Sequence, residues 1–388
     1  MTVMIETKPK IVVPYLYIWD VADSSKEWAE VSEHVEFIRY KMSTREDFIQ
    51  FLQTSEIQGF WVAEEFFTVL GNPSDYWDYF PDSLKVILVP WVGCDFIDGK
   101  RLRSEKNITL CNIGPHAASN VSDLAVFLVL SCFRMTSYWE HCFRIVENGD
   151  IESCKQYIGG SLQDNKEMSL SKGKNEEYVY RFPTKPESSF TNIAENYTVG
   201  GKIMDSPTNK NVLILGFGSI GQTIGKRLKF GLDMNIFYYK RSGPVARDVL
   251  NYDATYCTSL KEEETWRIAD VIILSLPSDD STSNLINDQT ISMCKKGVRI
   301  INIGRGSCID EDALIRGLDS GQVNSCGLDV YKNETAPIDN RLLRRWDVTL
   351  LPHIGSAVAD IIHRQTVVTL ENIKDIFIDG GSGIYVVN

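Results

Sequence analysis

The chain of 388 residues is longer than a single hydrophobic core usually grows, since domains rarely exceed about 250 to 300 residues, so we expect two domains. Hydrophobic residues make up 43% and charged residues 24%, proportions typical of globular proteins, which excludes a disordered or fibrous chain. The formal net charge of -12 opposes general binding to nucleic acids or anionic membranes, because both depend on a broad positive field. An anionic ligand therefore needs a local cationic pocket.

The nine cysteines are scattered and never spaced as C-x-x-C, so the usual zinc and redox motifs are missing from the sequence. Reduced thiols in a cytoplasmic protein are the simplest interpretation, and no metal site is expected. The N-terminus has no long apolar run after a basic start, and no other stretch contains about 18 apolar residues in a row. Neither secretion nor a membrane span is expected.

From residue 10 onward, short β-branched runs alternate with amphipathic stretches. GFWVAE (59–64) and KVILVPWVG (85–93) are typical of strands, and EDFIQFLQ (46–53) is typical of a helix. This alternation predicts a parallel sheet with crossover helices. Residues 118–150 are then predicted to form one long helix, with Ser119 or Asn120 as its N-cap.

The composition changes after this helix. Residues 161–210 are rich in Lys, Glu, Ser and Asn, which predicts an inserted arm or loop rather than a core element. The runs NVLILG, MNIFYY, DVIILSLP, GVRIINIG and SCGLDV then indicate a second series of strands separated by helices. Residues 356–380 are predicted to form a single C-terminal helix.

A glycine-rich turn follows the first strand of this second series. In NVLILGFGSIGQTIGKRL (211–228) the glycines have the G-x-G-x-x-G spacing, after a hydrophobic strand and before a helix. This context predicts a dinucleotide-binding turn, with the phosphates at the helix N-terminus. The alternative is a strand-to-helix turn without a ligand. The predicted cofactor-binding residues of the turn are Gly216, Phe217, Gly218, Ser219, Ile220 and Gly221.

Lys240 and Arg241 stand where many dinucleotide-binding proteins have an acid, about 20 residues after the glycine-rich turn. An acid at this point would accept hydrogen bonds from the adenosine ribose, whereas two cations accept none. They are suited to a 2′-phosphate, because Arg offers a planar fork and Lys a point charge. We therefore predict binding of NADPH in preference to NADH. The alternative is a pair of solvated loop cations.

Four further polar residues follow predicted strands: Arg305, Asp329, Glu334 and His353. Open α/β sheets bind ligands at the carboxyl ends of their strands, so these side chains are candidates for one common site. Taken singly, His353 could be a structural histidine, Arg305 a solvated cation and Glu334 an exposed turn residue. Their grouping with the nucleotide motif favours a functional role.

Four motifs occur in the order found in one protein family: GFGSIG, N-x-G-R-G, an Asp-Val pair followed by an acid, and PHIG. With them the chain resembles the D-isomer-specific 2-hydroxyacid dehydrogenases, and most nearly the glyoxylate/hydroxypyruvate reductases. The resemblance extends over nearly the whole chain. It includes WVGCDFID (91–98), which resembles the loop whose backbone N–H groups, here those of Val92 and Gly93, bind the substrate carboxylate.

The resemblance implies a role for each site residue. Arg305 matches the arginine that binds the carboxylate of a 2-oxo acid and polarises its ketone. His353 matches the proton donor, and Glu334 matches the acid that pairs with it and raises its pKa. Asp329 matches a residue near the nicotinamide carboxamide. Arg305 and His353 are therefore both catalytic and substrate-binding in this prediction.

The sequence departs from the family pattern at two places. Thr335 follows Glu334, where the family commonly has Pro, which affects the shape of the loop but not the acid. The segment at about 155–208 is longer than the usual connection and resembles an insertion found in a fungal subgroup of the family. In the family this region lies near the dimer contact.

The resemblance implies two doubly wound α/β domains. Residues 1–130 and 356–388 would form a flavodoxin-like substrate domain, and residues 131–355 a Rossmann-type NAD(P)-binding domain, with the active site in the cleft between them. The predicted protein is a cytoplasmic homodimer that reduces glyoxylate or hydroxypyruvate with NADPH, NAD being possible. Two alternatives remain: a non-catalytic nucleotide sensor such as a corepressor, and another NAD-dependent member of the family.

Overall fold

The computed structural model describes residues 7–162, 167–169, 179–186, 192–195 and 197–388. The chain divides into two compact units. The first unit contains the residues up to Ala117 and the segment Ser356–Asn388, and the second unit is Ala118–Gly355. The first boundary therefore lies at residue 117 and not at the predicted residue 130. The predicted position falls inside a helix that packs along its length in the second unit.

The strands of the described residues are β1 (Lys10–Tyr15), β2 (Glu36–Lys41), β3 (Gly59–Trp61), β4 (Val86–Leu88), β5 (Thr109–Cys111), β6 (Glu167–Ser169), β7 (Val179–Arg181), β8 (Thr198–Val199), β9 (Lys202–Ile203), β10 (Asn211–Leu215), β11 (Asn235–Tyr239), β12 (Ala254–Tyr256), β13 (Val271–Leu274), β14 (Val298–Asn302), β15 (Val323–Leu328) and β16 (Val348–Leu350).

The α-helices of the same residues are α1 (Lys26–Ser32), α2 (Arg45–Thr54), α3 (Phe66–Val69), α4 (Gly99–Lys106), α5 (Ala118–Arg134), α6 (Thr136–His141), α7 (Ile151–Lys155), α8 (Ser219–Leu232), α9 (Arg247–Leu250), α10 (Glu263–Arg267), α11 (Asp288–Met293), α12 (Glu311–Ser320), α13 (Asn340–Leu343) and α14 (Ile361–Phe377). Short 3-10 helices lie at Pro73–Tyr79, Gly114–Ala117 and Gly306–Cys308, and a π-helical turn lies at Cys142–Val146.

The first unit contains a parallel five-stranded sheet in the order β2-β1-β3-β4-β5, the order of flavodoxin-like folds. Successive side chains of β1 point to opposite faces of the sheet, and helices cover both faces. Ile11 and Val13 join one core with Trp28 of α1 and Ile373 of α14, whereas Val12 joins the opposite core. The predicted flavodoxin-like unit is confirmed.

The second unit contains a parallel seven-stranded sheet in the order β12-β11-β10-β13-β14-β15-β16. This is the doubly wound Rossmann order with one further strand, as predicted. β13 and β14 are buried along their whole length, which explains their nearly unbroken aliphatic sequences VIIL and VRIIN. The chain reverses direction across the sheet between β10 and β13, where such sheets bind their ligands.

The helix predicted over 118–150 begins at the expected residue, but its predicted N-cap and its predicted end are wrong. α5 begins at Ala118, directly after a 3-10 turn, so Ser119 lies in its first turn rather than at an N-cap. It ends at Arg134 because Met135 adopts a left-handed conformation with a φ of 53°. The hydrophobic pattern continues across this break in α6, which is why the sequence suggests one helix.

α5 with its preceding 3-10 turn, Gly114–Arg134, is long and apolar enough to cross a membrane by length and composition. The expectation from the sequence concerned unbroken runs of about 18 apolar residues, and this stretch is not one, because it contains polar residues such as Ser119 and Asn120. Half of the window is buried, and α5 packs against α8 and β15. Cys132 near its end accepts a hydrogen bond of 2.8 Å from Ser325 on β15. A core helix passes the same test as a membrane helix, and this packing is that of a core helix.

The predicted insertion at about 155–208 lies partly outside the described residues. Within it, β6 pairs with β7 and β8 pairs with β9, both antiparallel. Lys202 of β9 donates a hydrogen bond of 3.0 Å to the carbonyl of Leu318 and forms an ion pair with the buried Asp347 before β16. These bonds hold the β8–β9 hairpin against the rest of the second unit.

Candidate active site

The glycine-rich turn joins β10 to α8 in the geometry that a dinucleotide requires. Gly216 has a φ of 91°, and a Cβ there would lie 2.4 Å from the Ser275 carbonyl oxygen. A Cβ at Gly221 would lie 2.2 Å from the Gly216 carbonyl oxygen. Gly218 is the N-cap of α8, and a Cβ added to it would meet nothing within 4 Å. Space is thus open where a phosphate would approach the backbone.

The residues between these glycines divide into two groups. Phe217 is buried and stacks on Tyr238 with ring centroids 3.9 Å apart, so its side chain belongs to the core. Any contact of Phe217 with a cofactor must come from its backbone. Gly218 and Ser219 are exposed and Ile220 is half-buried, at the beginning of α8. The helix N-terminus is therefore accessible to an anion.

Lys240 and Arg241 directly follow β11, the strand next to the glycine-rich turn. Arg241 donates a hydrogen bond of 2.8 Å to Asp279 and another of 3.1 Å to the hydroxyl of Ser281. Ser281 and Arg241 together lower the pKa of Asp279 to about 2, so its carboxylate is charged at neutral pH. Arg241 is thus at the predicted place but already has an anionic partner.

Arg305 follows β14 and is positioned by the polar residue at the end of that strand. The buried Asn302 donates a hydrogen bond of 2.8 Å to the Arg305 carbonyl and accepts one of 3.0 Å from the Gly304 N–H. The guanidinium of Arg305 donates to the Gly304 carbonyl over 2.8 Å. Its charge opposes the rise in the pKa of His353 and adds to the fall in the pKa of Glu334, as expected for a cation near both side chains.

His353 and Glu334 form a direct pair. Nδ1 of His353 lies 2.8 Å from Oε2 of Glu334, and the two side chains are 53% and 39% exposed. The other oxygen of Glu334 accepts a hydrogen bond of 3.1 Å from the Tyr331 N–H. The hydrogen bond to Glu334 raises the pKa of His353, because the carboxylate stabilises imidazolium. The second ring nitrogen, Nε2, points away from this contact and is available to a substrate.

Asp329 lies at the end of β15 and is buried. It accepts a hydrogen bond of 2.8 Å from the N–H of Ile354, the residue after His353. Burial raises the pKa of Asp329, and this backbone bond acts in the opposite direction. Asp329 therefore holds the loop in which His353 adopts a φ of 55°. Its contact with the nicotinamide carboxamide stays a prediction.

Val92 and Gly93 lie in the first unit, in the loop after β4. The Asn112 side chain donates a hydrogen bond of 2.8 Å to the Val92 carbonyl and so fixes the loop. Within the described part of the chain, no acceptor faces the backbone N–H of Val92 or Gly93. These two donors fit the carboxylate-binding role that the resemblance implies.

Comparisons with known proteins identify the family of the chain. Residues 194–355 match the family model for the D-isomer specific 2-hydroxyacid dehydrogenase, NAD binding domain. A protein of Saccharomyces cerevisiae, named "Putative 2-hydroxyacid dehydrogenase YPL113C", is 57% identical over 388 residues, 98% of this chain and 96% of the yeast protein. The chain belongs to the D-isomer-specific 2-hydroxyacid dehydrogenase family.

Solved structures of similar fold include two enzymes that cover 98% of this dehydrogenase. The holo form of D-mandelate dehydrogenase from Rhodotorula graminis is 26% identical, with a TM-score of 0.76 and 98% of its own chain covered. The NADPH-dependent glyoxylate/hydroxypyruvate reductase of Sinorhizobium meliloti, solved with NADP and malonate, is 24% identical, with a TM-score of 0.68 and 97% of its chain covered. The second likeness shows the fold alone.

Three residues of this dehydrogenase were missed by the sequence analysis. Asn302 stands inside the N-x-G-R-G motif, and a polar residue at the end of a buried strand could have identified it. Tyr331 supports Glu334 with its backbone N–H, for which the sequence carries no signal. Asp279 pairs with Arg241 across 38 positions of chain, a contact that only the strand order predicts. Across the described ranges, no group of three or more His, Cys, Asp or Glu could hold a metal ion.

Proposed function

We propose that this dehydrogenase reduces a small 2-oxo acid, glyoxylate or hydroxypyruvate, to the 2-hydroxy acid with NADPH. The observation that carries the proposal is the His353–Glu334 contact of 2.8 Å beside Arg305, in the unit that has the dinucleotide-binding turn. A histidine–carboxylate pair next to an arginine combines a proton donor with a carboxylate-binding group.

The cofactor and the protein groups divide the tasks of the proposed reaction. When bound, the nicotinamide supplies the hydride. His353, protonated and oriented through Nδ1 by Glu334, donates the Nε2 proton to the carbonyl oxygen of the substrate. In the reverse direction the neutral imidazole accepts that proton. Arg305 binds the substrate carboxylate and stabilises negative charge on the carbonyl oxygen, and the N–H groups of Val92 and Gly93 bind the carboxylate as well.

The pair makes the reaction dependent on pH in a direction that can be tested. Because Glu334 raises the pKa of His353, the imidazolium persists to higher pH, and the rate of reduction falls as pH rises through that pKa. Glu334→Gln removes the charge, so the fall in kcat/KM for reduction should occur at lower pH than in the wild type. The rate of oxidation, which needs neutral imidazole, should rise at correspondingly lower pH.

The measurement is kcat/KM from about pH 5 to pH 10 in both directions. Glu264→Gln, which removes an exposed carboxylate on α10, is the matched control and should leave both profiles unchanged. If Glu334→Gln lowered the rate equally at every pH, Glu334 would not set the pKa of the proton donor.

The NADPH preference is supported by Lys240 and Arg241 at the end of β11. Arg241→Asp removes a guanidinium and adds a charge that repels a 2′-phosphate. A charged hydrogen bond contributes about 1.5 to 3 kcal/mol, so the ratio of kcat/KM for NADPH to that for NADH should fall by roughly tenfold to a hundredfold. Arg247→Asp, an equal charge change at a residue 92% exposed on α9, should leave the ratio unchanged. An unchanged ratio in Arg241→Asp would exclude Arg241 from recognition of the 2′-phosphate.

The reaction itself is tested by its product. Incubation with glyoxylate and NADPH should yield glycolate, one molecule for each NADPH oxidised. Oxidation of NADPH without glycolate would contradict the proposed reduction.

The cytoplasmic location and the homodimer belong to the same proposal. The location is supported by nine free cysteines, all buried. The homodimer is supported by exposed apolar side chains around a groove near α6 and α7, among them Phe143, Ile151 and Tyr197. Sedimentation velocity would contradict it by showing a monomer.

A further inference from the structure

Arg241, the residue proposed to bind the 2′-phosphate, is paired with an acid. Its Nη1 lies 2.8 Å from Oδ2 of Asp279 and 3.1 Å from the Ser281 hydroxyl. The Arg241 side chain is 70% exposed, whereas that of Asp279 is 33% exposed. The arginine is therefore the more exposed partner of this pair, and the acid is the more enclosed one.

Asp279 is fixed by the turn in which it stands. Its Oδ1 accepts hydrogen bonds from the Ser281 N–H, over 2.9 Å, and from the Ser281 hydroxyl. Its own N–H donates over 2.9 Å to Thr282, whose hydroxyl donates over 2.8 Å to the Pro277 carbonyl. One carboxylate oxygen is thus bound within the turn, and the other is presented to Arg241. The carboxylate cannot withdraw without breaking the turn.

Arg241 and Asp279 lie on either side of the expected cofactor site and contact each other across it. Arg241 follows β11 and Asp279 follows β13, and these strands flank β10, which leads into the glycine-rich turn. Ligands of doubly wound sheets bind outside the carboxyl ends of these strands. A 2′-phosphate that reached Arg241 would therefore meet the carboxylate of Asp279 as well.

We propose that Asp279 determines cofactor specificity by competing with the 2′-phosphate for Arg241, and so limits the preference for NADPH over NADH. The inference rests on the proposed function, in which Arg241 binds that phosphate. NADPH must draw the guanidinium away from a fixed anion, or share it, with two like charges close together. NADH lacks the phosphate and leaves the pair as it is.

Asp279→Asn tests the competition. Asparagine keeps the oxygen that accepts from Ser281 but removes the charge that holds Arg241. We expect the Kd of NADPH to fall by about threefold to tenfold, since an exposed ion pair is lost and a like-charge repulsion is relieved. The Kd of NADH should change by less than about twofold, because no charged contact with it is altered. Both constants are measured by titration of cofactor fluorescence on the full chain.

The same substitution in an Arg241→Ala background should lower the Kd of NADPH by clearly less than in the wild type, because the carboxylate then has no arginine to hold and only its repulsion of the phosphate is removed. Asp288→Asn is the matched control: it breaks an exposed Asp–Arg pair with Arg316, on α11 and α12, and should change neither Kd. Thermal unfolding of each variant shows whether the turn at Asp279 remains folded.

The outcomes distinguish a failure of this inference from a failure of the proposed function on which it rests. If Arg241→Ala weakens NADPH binding but Asp279→Asn leaves it unchanged or weakens it, the competition is overturned and the NADPH preference stands. If Arg241→Ala leaves the ratio of the two Kd values unchanged, the preference is overturned and the competition with it. Tighter NADPH binding in Asp279→Asn that shrinks in the Arg241→Ala background supports the inference, whereas an equal gain in both backgrounds would overturn the competition for Arg241.

Discussion

His353→Ala should lower kcat for the reduction of glyoxylate by about 10² to 10⁴, the range that general acid catalysis contributes. The variant loses the Nε2 proton donor, and the carbonyl oxygen must then take its proton from water. The Kd of NADPH should change by less than about twofold, because the proposed cofactor contacts lie at the turn after β10 and at Lys240 and Arg241. Steady-state kinetics and cofactor titration give the two values.

His34→Ala is the matched control for this variant, since His34 is exposed in the turn before β2 and lies outside the proposed site. It should keep wild-type kcat. A kcat of His353→Ala equal to that of the wild type would remove His353 from the role of proton donor, whatever the effect on KM.

Arg305→Ala should reduce the activity nearly as much as His353→Ala does, lowering kcat/KM for the 2-oxo acid by about 10² to 10³. The guanidinium is proposed to bind the substrate carboxylate and to stabilise charge on the carbonyl oxygen, so KM should rise and kcat should fall. Asn302 bonds to the backbone of Arg305, and this support is independent of the side chain. The fold should therefore persist, which thermal unfolding measures.

Arg305→Lys separates charge from geometry. Lysine keeps the positive charge but not the two parallel donors of the guanidinium, so the variant should recover only part of the lost rate. Full activity of Arg305→Lys would show that the carboxylate is not bound by a fork. Full activity of Arg305→Ala would exclude Arg305 from the site altogether.

Much of the fold follows from local sequence patterns. The aliphatic runs at β10, β13 and β14 are fully buried strands, and the glycine spacing between β10 and α8 fixes the nucleotide-binding unit. The end of α5 at Arg134 was not predictable in the same way. Met135 has no special tendency to adopt a positive φ, and the hydrophobic pattern continues beyond it. The break is set by packing in the second unit, which a single sequence does not display.

The residues of the site also differ in how far the sequence predicts their placement. Arg305, Glu334 and His353 stand in motifs, and the structure brings them together because each follows a strand of one parallel sheet. The pairing of Arg241 with Asp279 depends on which strands flank β10, a property of the tertiary fold. Phe217 shows the opposite case, since it stands in the motif but its side chain is buried against Tyr238.

The central claim is reduction of a small 2-oxo acid with NADPH, and initial rates test it most directly. Purified full-length protein should be assayed with glyoxylate, hydroxypyruvate and pyruvate, each with NADPH and with NADH. We predict the highest kcat/KM for glyoxylate or hydroxypyruvate with NADPH, and a lower value for each acid with NADH. The absence of turnover with all six combinations would contradict the proposed function.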